Sequence, residues 1–117
     1  MARRLYPKWA SRGLRRLYTT YESKCRSRNM FWEITLEQLH KVSSTKCAYC
    51  GKNPTREISG YRYSGLDRKN NKKGYYMGNV VPSCYRCNSI KGEHLTHAEM
   101  LAVARALRRF KSRRPNR

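Results

Sequence analysis

Four cysteines in two pairs, Cys47-x-x-Cys50 and Cys84-x-x-Cys87, carry the clearest chemistry in this chain of 117 residues. A two-residue gap lets a knuckle turn both sulfurs to one side, and two knuckles complete the tetrahedral shell that Zn²⁺ prefers. A closed shell of four thiolates is structural rather than catalytic, so the spacing predicts a structural zinc site. The competing readings are a disulfide pair and a thioredoxin-like redox motif. The doubled motif argues against both, in a chain whose basic, polar N-terminus lacks the apolar stretch of a signal peptide. The stretch 67–88, DRKNNKKGYYMGNVVPSCYRCN, runs from the only aspartate, Asp67, into the second knuckle. A lone carboxylate with amide oxygens for company suits a hard cation that keeps several of its waters. The alternative for Asp67 is a salt bridge to a nearby arginine or a turn cap.

The elements that position these residues are legible from periodicity and capping. Leu14, Leu17, Tyr18, Tyr21 and Cys25 recur on one helical face, with Pro7 able to open the helix and Gly13 weakening its first turn. Cys25 belongs to that stripe and reads as a small buried hydrophobe rather than a fifth ligand. A short second helix follows, with Thr35 and Gln38 as a capping box, an Ile34 to Leu39 staple, and Leu36, Leu39 and Val42 facing the core. His40 on this helix reads as structural. Gly51 permits the turn after Cys50. Residues 61–66 alternate aromatic and polar and predict a short strand leading into Asp67. Residues 69–74 predict a polar turn, Tyr75 to Met77 the returning side of a hairpin, and Asn79 to Pro82 a further extended stretch. Tyr61, Tyr63, Tyr75 and Tyr76 read as core before they read as base-stacking platforms. A helix is expected from about Tyr85 to Ile90, stopping at Gly92. The last helix opens on the capping box Thr96 to Glu99 and carries Met100, Val103, Ala104, Leu107 and Phe110 on one face.

Composition bounds the partner. The chain holds 27 Lys and Arg against 7 Asp and Glu, a net charge of +20. Four thiolates and one zinc ion would leave about +18. Such an excess is relieved by a polyanion, so nucleic acid is the expected partner. The chain lacks an apolar run near the roughly 20 residues that a membrane span requires, which sets aside a membrane partner. Arg12, Arg15 and Arg16 on the first helix, Lys69, Lys72 and Lys73 in the polar turn, Lys91 after the second knuckle, and Arg108, Arg109, Lys111, Arg113 and Arg114 at the end are the expected nucleic-acid contacts. Residues 111–117 hold no hydrophobe and are expected to order only on a phosphate backbone. The reduced cysteines imply an intracellular, cytoplasmic setting.

An aspartate on a hairpin, an asparagine before Val-Val-Pro, a Cys-x-x-Cys-Asn knuckle and the Lys91-Gly92 that follows it resemble the zinc-containing HNH endonucleases, the ββα-metal or His-Me finger group. The resemblance spans about Cys47 to Gly92. It is closest to small phage-type members whose centre reads Gly-x-Asp-Arg, here Gly65 to Arg68. It implies a single α+β domain in which residues 1–45 form a basic helical extension, 46–93 a zinc-stabilised ββα-metal core, 94–110 a C-terminal helix and 111–117 a basic tail. It also implies a hydrolase that cuts DNA phosphodiester bonds. By the same resemblance Cys47, Cys50, Cys84 and Cys87 hold structural zinc, Asp67 and Asn88 hold a catalytic Mg²⁺ or Mn²⁺, and Asn79 orients the active-site loop. For Asn88 a helix N-cap is the competing role.

Arg68 departs from the family pattern, which usually places a general-base histidine after the aspartate. An arginine cannot accept a proton at neutral pH; it can clamp a phosphate in two-point fashion or stabilise transition-state charge. Water activation then falls to metal-bound hydroxide, to His94 or to His97. The leading expectation is a metal-dependent endonuclease or nickase. The others are a zinc protein that binds DNA without cutting it, and an RNA-binding zinc ribbon protein of ribosomal type.

Overall fold

The computed structural model describes residues 5–112. In order they form helix α1 (Arg12–Ser27), strand β1 (Trp32–Glu33), helix α2 (Leu36–Ser43), strands β2 (Arg56–Ile58), β3 (Tyr61–Tyr63), β4 (Gly65–Arg68) and β5 (Tyr75–Tyr76), a 3-10 turn (Met77–Asn79), strand β6 (Val80–Ser83), and helices α3 (Tyr85–Lys91) and α4 (His97–Ser112). The architecture is α+β, as expected. None of the described helices is long and apolar enough to cross a membrane.

Helix α1 starts later than Pro7. Ser11 caps it, its Oγ accepting the Leu14 N–H at 3.1 Å, while the Pro7 carbonyl closes the preceding turn by accepting from Ala10 at 3.0 Å. Gly13 has a purpose that helix propensity hides. A Cβ there would lie 2.3 Å from the Ile58 carbonyl oxygen and 2.4 Å from the Tyr61 Cβ, so only glycine lets α1 lie against the β2–β3 hairpin. Leu14, Leu17 and Cys25 of the apolar stripe are buried, and Tyr18 and Tyr21 pack on Trp32. In α2 the capping box of Thr35 and Gln38 is present, and Leu36, Leu39 and Val42 are buried.

Strand pairing differs from the expected hairpin. Tyr61–Tyr63 pairs with Arg56–Ile58, and Asp67 lies on the separate strand β4. The partner of β4 is β6, antiparallel, with Asp67 opposite Val81; Tyr75 and Tyr76 pair instead in parallel with Trp32 and Glu33. Asn79 explains the difference. Its side chain accepts the Asn70 N–H at 2.9 Å and donates to the carbonyls of Asn70 and Gly74 at 3.1 and 2.8 Å, and its own carbonyl accepts the Lys69 N–H at 2.7 Å. The loop is thereby cinched so that the chain rejoins β4 only at Val80.

Two apolar clusters result. The larger joins α1, α2 and the strands; the smaller holds Cys47, Tyr49, Cys84, Cys87, Met100 and Ala104. The Thr96 and Glu99 capping box of α4 is formed, with reciprocal bonds of 3.1 and 2.8 Å. Met100 and Ala104 are buried, but Phe110 is 59 % exposed, because α4 continues to Ser112 beyond the cluster it packs on. Lys111 therefore belongs to the helix, not to a disordered tail.

Candidate active site and metal centre

The first cysteine knuckle is a turn, in which the Cys47 carbonyl accepts the Gly51 N–H at 2.9 Å and Gly51 takes φ +76°. The Ala48 N–H, bonded to the Pro82 carbonyl at 2.8 Å, fastens it to β6. In the second knuckle Cys84 caps α3, its Sγ accepting the Cys87 N–H at 3.4 Å. The sulfurs of Cys47, Cys50, Cys84 and Cys87 all lie within 4.8 Å of one another, and those of Cys50 and Cys84 are 3.7 Å apart. A tetrahedron with metal–sulfur bonds of about 2.3 Å has edges of about 3.8 Å, so the cluster has the size of a four-thiolate shell. Burial pushes the Cys50 and Cys87 thiols up, while at Cys47 burial is outweighed by backbone hydrogen bonds, which together bring the thiol down to about 7. Among the described residues no other group of His, Cys, Asp and Glu draws three ligand atoms together in this way.

The second feature is a cavity of about 340 Å³ whose walls include Asp67 and Arg68 of β4, Asn88 of α3, Glu93, and the cations Lys24, Arg28 and Arg56. Tyr21 of α1 fixes β4 here by accepting the Leu66 N–H at 2.9 Å; burial pushes that phenol up to about 12. Asp67 is only 4 % exposed. One carboxylate oxygen accepts the Tyr49 hydroxyl, and the other lies 3.3 Å from the ammonium of Lys91, which also donates to the Arg68 carbonyl and Asn71 Oδ1 at 2.9 Å each. Tyr49 Oη in turn lies 2.9 Å from His97 Nδ1. Burial and then the Asp67 carboxylate hold the Tyr49 phenol above its usual range, while burial and then the Lys69 ammonium pull His97 down.

Arg68 donates through Nη1 to the carbonyls of Asn71 (2.9 Å) and Lys73 (3.1 Å), and its guanidinium lies 5.3 Å from the Tyr75 ring centroid. It thus braces the same loop that Asn79 ties from the other side. Asn88 is exposed on α3, and Cys84 rather than Asn88 is the N-cap. His94 and His97 line a different groove, together with Lys69 and Lys72. Neither histidine reaches the wall shared by Asp67 and Asn88.

The basic residues fall on several faces. Arg12, Arg15 and Arg16 line an open groove on α1, and Arg108 and Lys111 line one beside Cys50 and Cys87. Lys73 and Arg109 are exposed; Arg113 and Arg114 lie outside the described residues. Lys91 is a correction. It is fully buried, its ammonium is enclosed by three protein oxygens, and it cannot reach a phosphate. Sequence reasoning passed over Tyr49, whose only signal was an aromatic between two ligands, and Arg56, Lys24 and Arg28, whose signal was charge alone.

No protein-family model matches the chain. An uncharacterised protein of Acanthamoeba polyphaga mimivirus is 30% identical over 74 residues, 63% of this chain and 13% of that much longer relative. Among solved structures, the rare-cutting HNH restriction endonuclease PacI matches over 92% of this chain and 89% of its own, with a TM-score of 0.67 at 20% identity. The chain therefore has the HNH-type fold, in which the antiparallel pair β4 and β6 leads into α3, whose cap Cys84 belongs to the four-cysteine cluster.

Proposed function

We propose that the protein is a metal-dependent DNA endonuclease or nickase that hydrolyses phosphodiester bonds at the Asp67 cavity. The observation that carries this reading is that Asp67 on β4 and Asn88 on α3 face one cavity ringed by Lys24, Arg28, Arg56 and Arg68. The residues fit a hard divalent ion such as Mg²⁺ or Mn²⁺. A carboxylate offers about four acceptor sites, so Asp67, with its two oxygens engaged by Tyr49 and Lys91, retains acceptor capacity toward the cavity, and Asn88 adds an amide oxygen. A bound ion of this kind supplies Lewis-acid polarisation of a phosphate oxygen. The four cysteines fit structural zinc.

The chain's own part is binding and orientation. Lys24, Arg28 and Arg56 present positive charge where a phosphodiester must dock, and the cationic grooves of α1 and α4 offer further phosphate contacts. With both histidines elsewhere and Asp67 committed to the ion, Glu93 is the carboxylate the cavity offers an attacking water as proton acceptor. The test is incubation of purified protein with supercoiled plasmid and Mg²⁺, Mn²⁺ or EDTA. Nicking that requires the added ion supports the reading; tight DNA binding with no nicking under any of them defeats it.

Arg68→His is expected to lower the nicking rate. The substitution installs the residue type usual at this position, yet it removes a phosphate clamp and the two bonds to the Asn71 and Lys73 carbonyls that hold the loop. A well-placed general base contributes about 10² to 10⁴ in rate, so a site that has merely lost its histidine would gain activity instead. A severalfold rise over the natural protein would show that Arg68 is a lesion and not a working part.

A further inference from the structure

We infer that Tyr49, backed by His97, is a positioning residue that locks the Asp67 carboxylate to the first cysteine knuckle, so that the structural metal sets the geometry of the catalytic site. The inference rests on the endonuclease reading above and adds a residue to it.

Tyr49 lies between two of the metal-ligating cysteines and is fully buried in the cluster with all four of them in or against it. Its ring alone would explain that placement. Its hydroxyl is different, because a buried hydroxyl is costly unless it is paired, and a phenylalanine would fill the same space. The hydroxyl is paired twice, to Asp67 and to His97. A carboxylate only accepts, so the phenol proton goes to Asp67; the phenol oxygen is then the acceptor, and His97 must donate from Nδ1–H. The direction of the chain from His97 through Tyr49 to Asp67 is therefore fixed by its members.

The other Asp67 oxygen faces Lys91 of α3. A carboxylate held at one oxygen still swings about its Cβ–Cγ bond; held at both, from separate elements, it does not. Tyr49 thus supplies the anchor that ties this orientation to the metal knuckle, and Lys91 the anchor that ties it to α3. Partners of this kind behind a metal ligand typically change metal affinity or activity about 10- to 100-fold when removed.

The experiment measures binding of Mn²⁺ alone to the full-length zinc-loaded protein, by the electron paramagnetic resonance signal of free Mn²⁺, beside plasmid nicking. Tyr49→Phe should retain its zinc and weaken Mn²⁺ binding by about 10- to 100-fold. His97→Ala should weaken it less, His97→Gln should recover part of that loss because its amide can donate, and the Tyr49→Phe/His97→Ala protein should be no worse than Tyr49→Phe. Wild-type Mn²⁺ affinity in Tyr49→Phe, or a His97→Ala loss that adds in full to it, overturns the inference. If Tyr49→Phe loses zinc, His97→Ala decides, and wild-type affinity there overturns it equally. A natural protein that binds no Mn²⁺, or whose binding survives Asp67→Asn, sinks the endonuclease reading and this inference with it. Binding that depends on Asp67 and is indifferent to Tyr49 and His97 sinks this inference alone.

Discussion

Cys84→Ser is expected to lose its metal and its fold together. Cys84 serves the structure three times: its sulfur is one corner of the four-thiolate cluster, it caps α3 by accepting the Cys87 N–H, and it is buried in the smaller core. That core has little else, since beyond the cysteines its buried members are Tyr49, Met100 and Ala104. Structural zinc contributes an apparent binding free energy of about 10–16 kcal/mol at neutral pH. The whole stability of a domain is about 5–15 kcal/mol. The first quantity is as large as the second, so a three-ligand site should not hold this half of the molecule. Zinc content by mass spectrometry and a circular-dichroism melt check the expectation, with Cys25→Ser as the contrast. Cys25 is buried on α1 in the larger core, outside the cluster, so its replacement should leave the metal in place. A Cys84→Ser protein that carries a full equivalent of zinc, or a chelator-stripped protein that melts as the natural one does, would refute the structural role.

What the sequence disclosed was local chemistry, and what it withheld was long-range pairing. The cysteine spacing, the two capping boxes and the Gly92 stop of α3 are interactions within a few residues, and each stands where expected. Strand partners were not local. Tyr75 and Tyr76 pair with Trp32 and Glu33, each 43 residues earlier in the chain, a register that no hairpin spacing encodes. Gly13 looked like a helix defect because propensity is a property of the isolated helix, whereas its need is set by Ile58 and Tyr61. Lys91 looked like one more surface cation. The available signal was its position four residues after Cys87, which puts both on one helical face, the face turned to the interior. Charge counting overrode that geometry, and the oxygens that enclose the ammonium come from β4 and its loop.

The same buried pair changes what should happen when Asp67 is replaced. On the surface, Asp67→Ala would cost the fold little; here Asp67 is 4 % exposed and its partner Lys91 fully buried. Removing one member of a buried pair leaves the other charge uncompensated, at about 3–5 kcal/mol. Asp67→Ala is therefore expected to abolish nicking and also to lower the melting temperature, with Tyr49 losing its acceptor at the same stroke. Asp67→Asn lessens the second effect, because its amide oxygen can still accept from one of the two donors although the Lys91 charge stays uncompensated. It should keep its zinc and melt between Asp67→Ala and the natural protein, while losing both Mn²⁺ binding and nicking. Adding Lys91→Met to Asp67→Ala removes the stranded charge, and since apolar replacement of a buried pair is often neutral, much of the lost stability should return without any return of activity. Nicking by Asp67→Asn at a rate near the natural protein would show that the ion is held elsewhere. Asp67→Ala melting as the natural protein does would show that the Lys91 pair contributes nothing. Recovery of stability with continued inactivity in Asp67→Ala/Lys91→Met would place Lys91 in the scaffold and Asp67 in the chemistry.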